Sequence, residues 1–271
     1  MSPVKNRYNS LEDFLVSMPL TVDGQLDDGG GAMFPVKGRE IEATVLFADI
    51  SFFSSRTLKL KPTETLIFVN HFFAWITAEA LRDGHGIVDK YIGDEIMIIF
   101  SKEFGSEDPF LEAVQAARWI GERDFFGFMP HIGIASGLVT IGYVGTPLKY
   151  NCSAIGAPVA LAARCASVKS ENDPGSTFAC ISFPAKEWQN RDFDTVFSYR
   201  RYQNDDGTEF VVQQQFWEMM QPEVTTLKNI GEYKIQIIAK RVMHMHPPAE
   251  EYAREFLKVL YNTGRYWPTS G

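Results

Sequence analysis

Between Glu42 and Asp49 the chain reads Glu42-Ala43-Thr44-Val45-Leu46-Phe47-Ala48-Asp49, with no charge inside the run and apolar side chains at successive positions. Successive side chains of a strand point to opposite faces, so a strand apolar on both must be covered on both. A central sheet flanked by helices meets that demand; a helical bundle or a half-exposed hairpin does not. The run ends in a carboxylate, which places Asp49 at a rim of the sheet.

The other elements fit around this strand. Thr63 to Arg82 carries Leu66, Val69, Phe72, Phe73 and Ile76 at helical spacing, punctuated by Pro62 and by Asp83-Gly84. Residues 86–92 and 95–100 are two β-rich runs joined at Gly93-Asp94, which predicts a hairpin. A helix is expected around residues 111–123. Residues 131–135 and 138–141 read as paired strands around Ser136-Gly137. Pro158 to Ser167 reads as a small-residue helix, Asp206-Gly207 as a hairpin turn, and residues 249–260 as an amphipathic helix. Ser10 with Asp13 three positions on predicts a short helix, followed by the glycine-rich Asp23–Gly31 stretch, expected to be a flexible connector without regular structure. The fold class is α+β, a mostly antiparallel central sheet flanked by helices. Residues 1–40 read as a preamble, 41–245 as one domain and 246–271 as a C-terminal helical extension.

With 26 basic and 34 acidic residues in 271, the formal charge is −8. A net-negative chain is a poor clamp for polyanions, so neither nucleic acid nor an acidic membrane surface is an expected partner. A small phosphorylated ligand held by a few local cations is compatible with that charge. The three cysteines, Cys152, Cys165 and Cys180, lack CxxC spacing and predict neither a disulfide framework nor a structural zinc site. His244 and His246 have no metal-ligand spacing, and His131 reads as structural. Met1 to Arg7 is not followed by an apolar leader and no stretch approaches a membrane span, so the expected location is cytoplasmic.

Asp49 and Asp94 are the candidates for chemistry. Each stands where a buried strand gives way to a turn, and carboxylates brought together repel unless a hard cation such as Mg²⁺ or Mn²⁺ separates them. Around them four motifs follow in order: Phe47-Ala48-Asp49-Ile50-Ser51-Phe52-Phe53-Ser54, Asp89-Lys90-Tyr91-Ile92-Gly93-Asp94-Glu95-Ile96-Met97, Gly133-Ile134-Ala135-Ser136-Gly137 with Gly142-Tyr143-Val144-Gly145, and Ile155-Gly156-Ala157-Pro158-Val159-Ala160-Leu161-Ala162-Ala163-Arg164. Together they resemble the class III nucleotidyl cyclases, the adenylyl and guanylyl cyclase family. The resemblance runs over roughly residues 40 to 240 and includes Leu227-Lys228-Asn229-Ile230-Gly231-Glu232-Tyr233 near its end.

That resemblance implies a ferredoxin-like, palm-type catalytic domain at 41–245. It implies that Asp49 and Asp94, with the Ile50 carbonyl, hold two divalent ions, and that the turn from Ile50 through Ser51, Phe52 and Phe53 to Ser54 cradles the β- and γ-phosphates. It also implies that Arg164 stabilises charge on the α-phosphate, and that a homodimer builds two interfacial active sites, each taking its metal site from one subunit and its arginine and base-reading residues from the other, so that Lys90 and Asp94 of one chain serve opposite sites. Lys90 matches the family's purine-reading lysine. Its usual aspartate partner is replaced by Ser153, and the usual ribose-orienting asparagine by Ala160. A lysine donor suits a carbonyl, and a serine hydroxyl can accept from a ring N–H or donate to a second carbonyl. Uracil meets that description, cytosine follows, and adenine wants a stronger acceptor.

A chain with this altered pocket and no evident sensor domain resembles the bacterial pyrimidine cyclases of anti-phage Pycsar systems. The implied activity is UTP to cUMP, or CTP to cCMP, signalling to a cyclic-nucleotide-sensing effector. A catalytically inactive cyclase-fold module is the alternative of another class. Ile92-Gly93-Asp94-Glu95-Ile96 superficially resembles the diguanylate cyclase signature, but the Gly156-to-Arg164 motif fits class III.

Overall fold

The charge-free run lies inside a 17-residue strand of a computed structural model that describes residues 7–146, 148–168, 180–204, 206–213, 216–240 and 249–262. The chain begins with α1 (Leu11–Ser17), β1 (Val22–Asp27), β2 (Met33–Asp49), α2 (Phe53–Thr57) and α3 (Pro62–Ala80). Then come β3 (Ile87–Ile92), β4 (Glu95–Phe100), α4 (Pro109–Glu122), β5 (His131–Thr146), β6 (Lys149–Ile155) and α5 (Ala157–Ala166). It closes with β7 (Cys180–Pro184), β8 (Tyr199–Gln203), β9 (Glu209–Gln213), β10 (Trp217–Met219), β11 (Glu223–Leu227), β12 (Gly231–Lys240) and α6 (Ala249–Asn262).

Among the described residues ten strands form one sheet in the order β10-β12-β7-β5-β2-β4-β3, with β1 added to β2, β6 to β5 and β11 to β12. Among the described residues only the β5–β7 pair is parallel. The sheet and its flanking helices are the α+β architecture expected from the sequence.

The alternation along β2 sorts the core into two layers. Leu46 and Ala48 face α3, α4 and α6, while Val45 and Phe47 face α1 and α5. On the first side Phe68, Phe72, Trp75 and Ile76 of α3 meet Phe128 and Phe256, the apolar stripe of one helix filling against the next. The C-terminal helix α6 is thus packed into the domain's own core through Ala253, Phe256, Leu257 and Leu260. On the second side α1 buries Leu11, Phe14 and Leu15, capped by Ser10, whose Oγ accepts the Asp13 N–H at 3.0 Å.

Two expectations are corrected. Ser136-Gly137 is not a turn: β5 continues through it, Ala43 opposite Gly137 and Thr44 opposite Ser136. Gly137 stands at φ +150°, and a Cβ there would lie 3.2 Å from Pro158 Cγ, so the glycine serves the approach of α5 rather than a reversal. The stretch expected to lack structure is in large part strand: β1 pairs with residues Met33 to Gly38 of β2. Its side chains are all exposed, so no burial pattern marked it in the sequence. The hairpin at Asp206-Gly207 joins β8 and β9. No helix among the described residues is long and apolar enough to cross a membrane. The cysteines are free thiols, and His244 and His246 lie outside the described residues.

Candidate active site

Strand parity decides which way Asp49 points. It shares a face with Val45 and Phe47, the side on which α5 packs, and Glu95 on β4 shares that face with Met97 and Ile99. Asp49 is opposite Glu95 on one neighbour and opposite His131 on the other. Asp94 follows at the turn of the β3–β4 hairpin, where Gly93 takes φ +63°. Three carboxylates therefore gather at one end of the sheet.

Their titration reflects the crowding. Burial pushes the Asp49 carboxyl up to about 7, the fields of Asp94 and Glu95 push in the same direction, and hydrogen bonding to the His131 backbone opposes them. Asp49 Oδ1 is buried without a hydrogen-bond partner. Asp94 is raised by burial. Glu95 is raised by burial and by Asp94, while Arg164 draws it down. Glu95 was missed in the sequence, although a lone acid opening an otherwise apolar strand opposite Asp49 was a readable signal.

Arg164 reaches this end because α5 lies directly on β5. A Cβ on Gly133 would fall 2.0 Å from the Ala162 carbonyl oxygen and 2.2 Å from the Ala166 nitrogen, so only glycine admits the helix. Gly133 is opposite Phe47, two residues from Asp49. The half-buried Arg164, between Ala162 and Ala166, is thereby held over the carboxylate end of the sheet, and its field acts on Glu95 of its own chain.

The turn after Asp49 is anchored from below. Ile50 and Ser51 are buried, and the Ser51 hydroxyl donates to the Met129 carbonyl. Phe52 adopts a left-handed conformation at φ 58° with a 43% exposed side chain, and opens the five-residue α2, which begins at Phe53 and includes Ser54. Arg56, fully buried, donates to the Gly127 carbonyl at 2.8 Å. Asp124 accepts the Phe128 and Met129 N–H groups at 2.9 and 2.6 Å. This knot fixes the turn that follows the metal-ligand candidate.

A second group forms where β3 meets β6. Lys90, its side chain 39% exposed, places Nζ 3.7 Å from Asp89 Oδ2. The Ser153 hydroxyl donates to that same oxygen at 2.7 Å, and the Ala154 N–H at 3.3 Å. Ser153 is 1% exposed and the Asp89 side chain is fully buried. Ala160 is exposed on α5.

Among the described residues no group of three or more His, Cys, Asp or Glu side chains is arranged to hold a metal by itself. The donor set nonetheless suits Mg²⁺ or Mn²⁺. Mg²⁺ is ordinarily bound through one or two carboxylates with the remaining positions filled by water and substrate phosphate, and a buried, unpartnered carboxylate oxygen is what such an ion would satisfy.

Solved structures share this architecture. The adenylyl cyclase CyaB from P. aeruginosa superposes with TM-score 0.55 at 17% identity, covering 78% of this chain and 99% of that one. The catalytic core of a rhodopsin-guanylyl cyclase with converted specificity gives 0.54 at 19% identity over 75% of this chain and 98% of its own. The fold is that of the adenylyl and guanylyl cyclase domains.

In sequence, an adenylate cyclase of Anabaena cylindrica is 30% identical over 133 residues, 45% of this chain and 26% of that protein. The terminal-differentiation-specific adenylate cyclase of Dictyostelium discoideum is 34% identical over 133 residues, 45% of this chain and 6% of that protein. The chain spans about a quarter (26%) of the first curated relatives it matches, uncharacterised mycobacterial proteins 35% identical over 147 residues. No family model matches the chain.

Proposed function

We propose that this chain is a metal-dependent nucleotidyl cyclase that closes a nucleoside triphosphate to its 3′,5′-cyclic monophosphate and pyrophosphate. UTP is the favoured substrate, and cUMP an anti-phage signal read by a cyclic-nucleotide-sensing effector. One observation carries the catalytic reading: at the rim of a cyclase-fold sheet Asp49 lies within the field of Asp94, its carboxyl pushed up to about 7 and one of its oxygens buried and unpartnered. A module with no chemistry to perform gains nothing from keeping such a pair.

Asp49, Asp94 and the Ile50 carbonyl would hold two Mg²⁺ or Mn²⁺ ions. When bound, these supply Lewis-acid polarisation of the phosphates and lower the pKa of the attacking 3′-hydroxyl. The anchored turn from Ile50 to Ser54 would meet the β- and γ-phosphates, Arg164 the charge developing on the α-phosphate and the departing pyrophosphate, and Lys90 the base. A homodimer would complete each site from two chains, in a cytoplasmic setting. Replacing Arg164 by alanine is expected to lower kcat by about 10²–10³-fold with the melting temperature little changed, as expected for a group that acts on transition-state charge. Steady-state kinetics beside a thermal melt checks this.

The curated relatives named adenylate cyclase favour a second reading, in which ATP is the substrate. Incubating the protein with each of the four ribonucleoside triphosphates and Mn²⁺, then identifying products by mass, separates the readings. cUMP supports the first, cCMP a pyrimidine enzyme of the other base, and cAMP alone overturns the pyrimidine reading. Absence of every cyclic product overturns the enzyme itself.

A further inference from the structure

We infer that Asp89 is a positioning residue of the base pocket: it turns the Ser153 hydroxyl inward and tethers the Lys90 ammonium, leaving the pocket a donor and no acceptor. The inference rests on the cyclase reading and specifies how the base would be chosen.

A hydroxyl has one proton, and the Ser153 proton is committed to Asp89 Oδ2 at 2.7 Å, far closer than the alternative Ala154 carbonyl at 3.4 Å. Ser153 is 1% exposed within its own chain, and assembly with a second copy can only bury it further. Its oxygen therefore does not meet a base. Asp89 is hidden as well, with Oδ2 taking the Ser153 and Ala154 donors and Oδ1 buried without a partner. Of the three side chains only Lys90 reaches solvent, and its ammonium, 3.7 Å from Asp89, is aligned by a charge that cannot move.

Burial holds Asp89 above the usual carboxylate range, while the Ser153 hydroxyl, Lys90 and the Ala154 N–H each favour its ionised form. The β3 strand is irregular between Val88 and Lys90, which is where Asp89 leaves the ladder to turn toward β6.

A pocket that offers an ammonium and no exposed acceptor suits a base edge of carbonyls. Uracil presents two and leaves a single ring N–H donor without an acceptor. Cytosine and adenine each present an amino group whose two N–H donors would be stripped of water without a partner, a larger penalty of the same kind as that of uracil's one N–H.

The test uses the 271-residue chain with Mn²⁺ and the unreactive α,β-methylene analogues of UTP and CTP, titrated calorimetrically. The wild-type protein should bind the UTP analogue at least about tenfold more tightly. Asp89→Asn should weaken that binding about fivefold and Lys90→Met about tenfold, and the double variant should be no weaker than Lys90→Met alone, because Asp89 acts through Lys90. Effects that multiply, or equal affinity of the wild-type protein for the two analogues, overturn the inference; the second needs no variant to fold. Non-additive effects with the UTP preference intact, in a protein that turns over no triphosphate, would sustain the inference and overturn the cyclase activity alone.

Discussion

Asp49→Asn should abolish cyclic nucleotide formation, by at least about 10³-fold, and at the same time make the metal-free protein more stable at neutral and alkaline pH. Both effects come from one cause. The Asp49 carboxyl is raised from 3.8 to about 7 by burial and by Asp94 and Glu95. Between those values the folded chain keeps a proton that the unfolded chain releases. Stability of the metal-free protein therefore falls as pH rises from about 4 to about 7 and stays low above it. The ionised form costs roughly 2–4 kcal/mol once partial solvent access is allowed for.

Asparagine carries no charge and removes that slope. In EDTA at pH 8 the variant should melt roughly 5 °C or more above the wild-type protein, and near pH 4.5 the two should converge. Adding Mn²⁺ at pH 8 should raise the wild-type melting temperature and leave that of the variant almost unmoved, since the carboxylates are then neutralised by the cation they would hold. Thermal melts over a pH series, with and without Mn²⁺, check all three. Parallel pH curves for the two proteins would show that Asp49 is an ordinary strand-end residue, and the site would lose its foundation.

The helices and the central strand were legible because burial writes itself into sequence. The spacing of Phe72 and Ile76 and the two-sided apolar run of β2 are direct records of what each face touches. Features that depend on a distant partner left no such record. Gly137 reads as a reversal from its neighbours alone, yet its role is set by Pro158 on α5. The β1 strand buries none of its side chains and exists by pairing with the extension of β2. The motif implies a base-contacting place for Ser153, but the direction of its hydroxyl is set by Asp89, 64 residues earlier. The rim positions of the two aspartates were legible for the opposite reason, since a charged residue that ends a buried strand has few places to go.

Gly133 carries the strongest steric constraint near the site, and Gly133→Ala should uncouple stability and catalysis from cation binding. The added methyl would lie 2.0 Å from the Ala162 carbonyl oxygen and 2.2 Å from the Ala166 nitrogen. Both are helix backbone, so no side chain can swing aside and α5 itself must lift by an ångström or more. Overpacking of this kind costs about 3 kcal/mol, a fall in melting temperature of roughly 6–12 °C for a domain of this size.

Arg164, proposed to meet the charge on the α-phosphate, rides on the displaced turn, and misplacing such a group by about 1 Å costs on the order of a hundredfold in kcat. Asp49 and Asp94 belong to β2 and the β3–β4 hairpin, which the helix does not carry, so the Mn²⁺-induced rise in melting temperature should survive in the variant. Gly24→Ala is the control, because a Cβ there meets nothing within 4 Å. A Gly133→Ala protein with wild-type turnover would mean that the seating of α5 does not set the place of Arg164 in an active site. Loss of the Mn²⁺ response together with activity would mean that the carboxylates depend on the helix for their own geometry, and the division of labour between strand rim and helix would have to be abandoned.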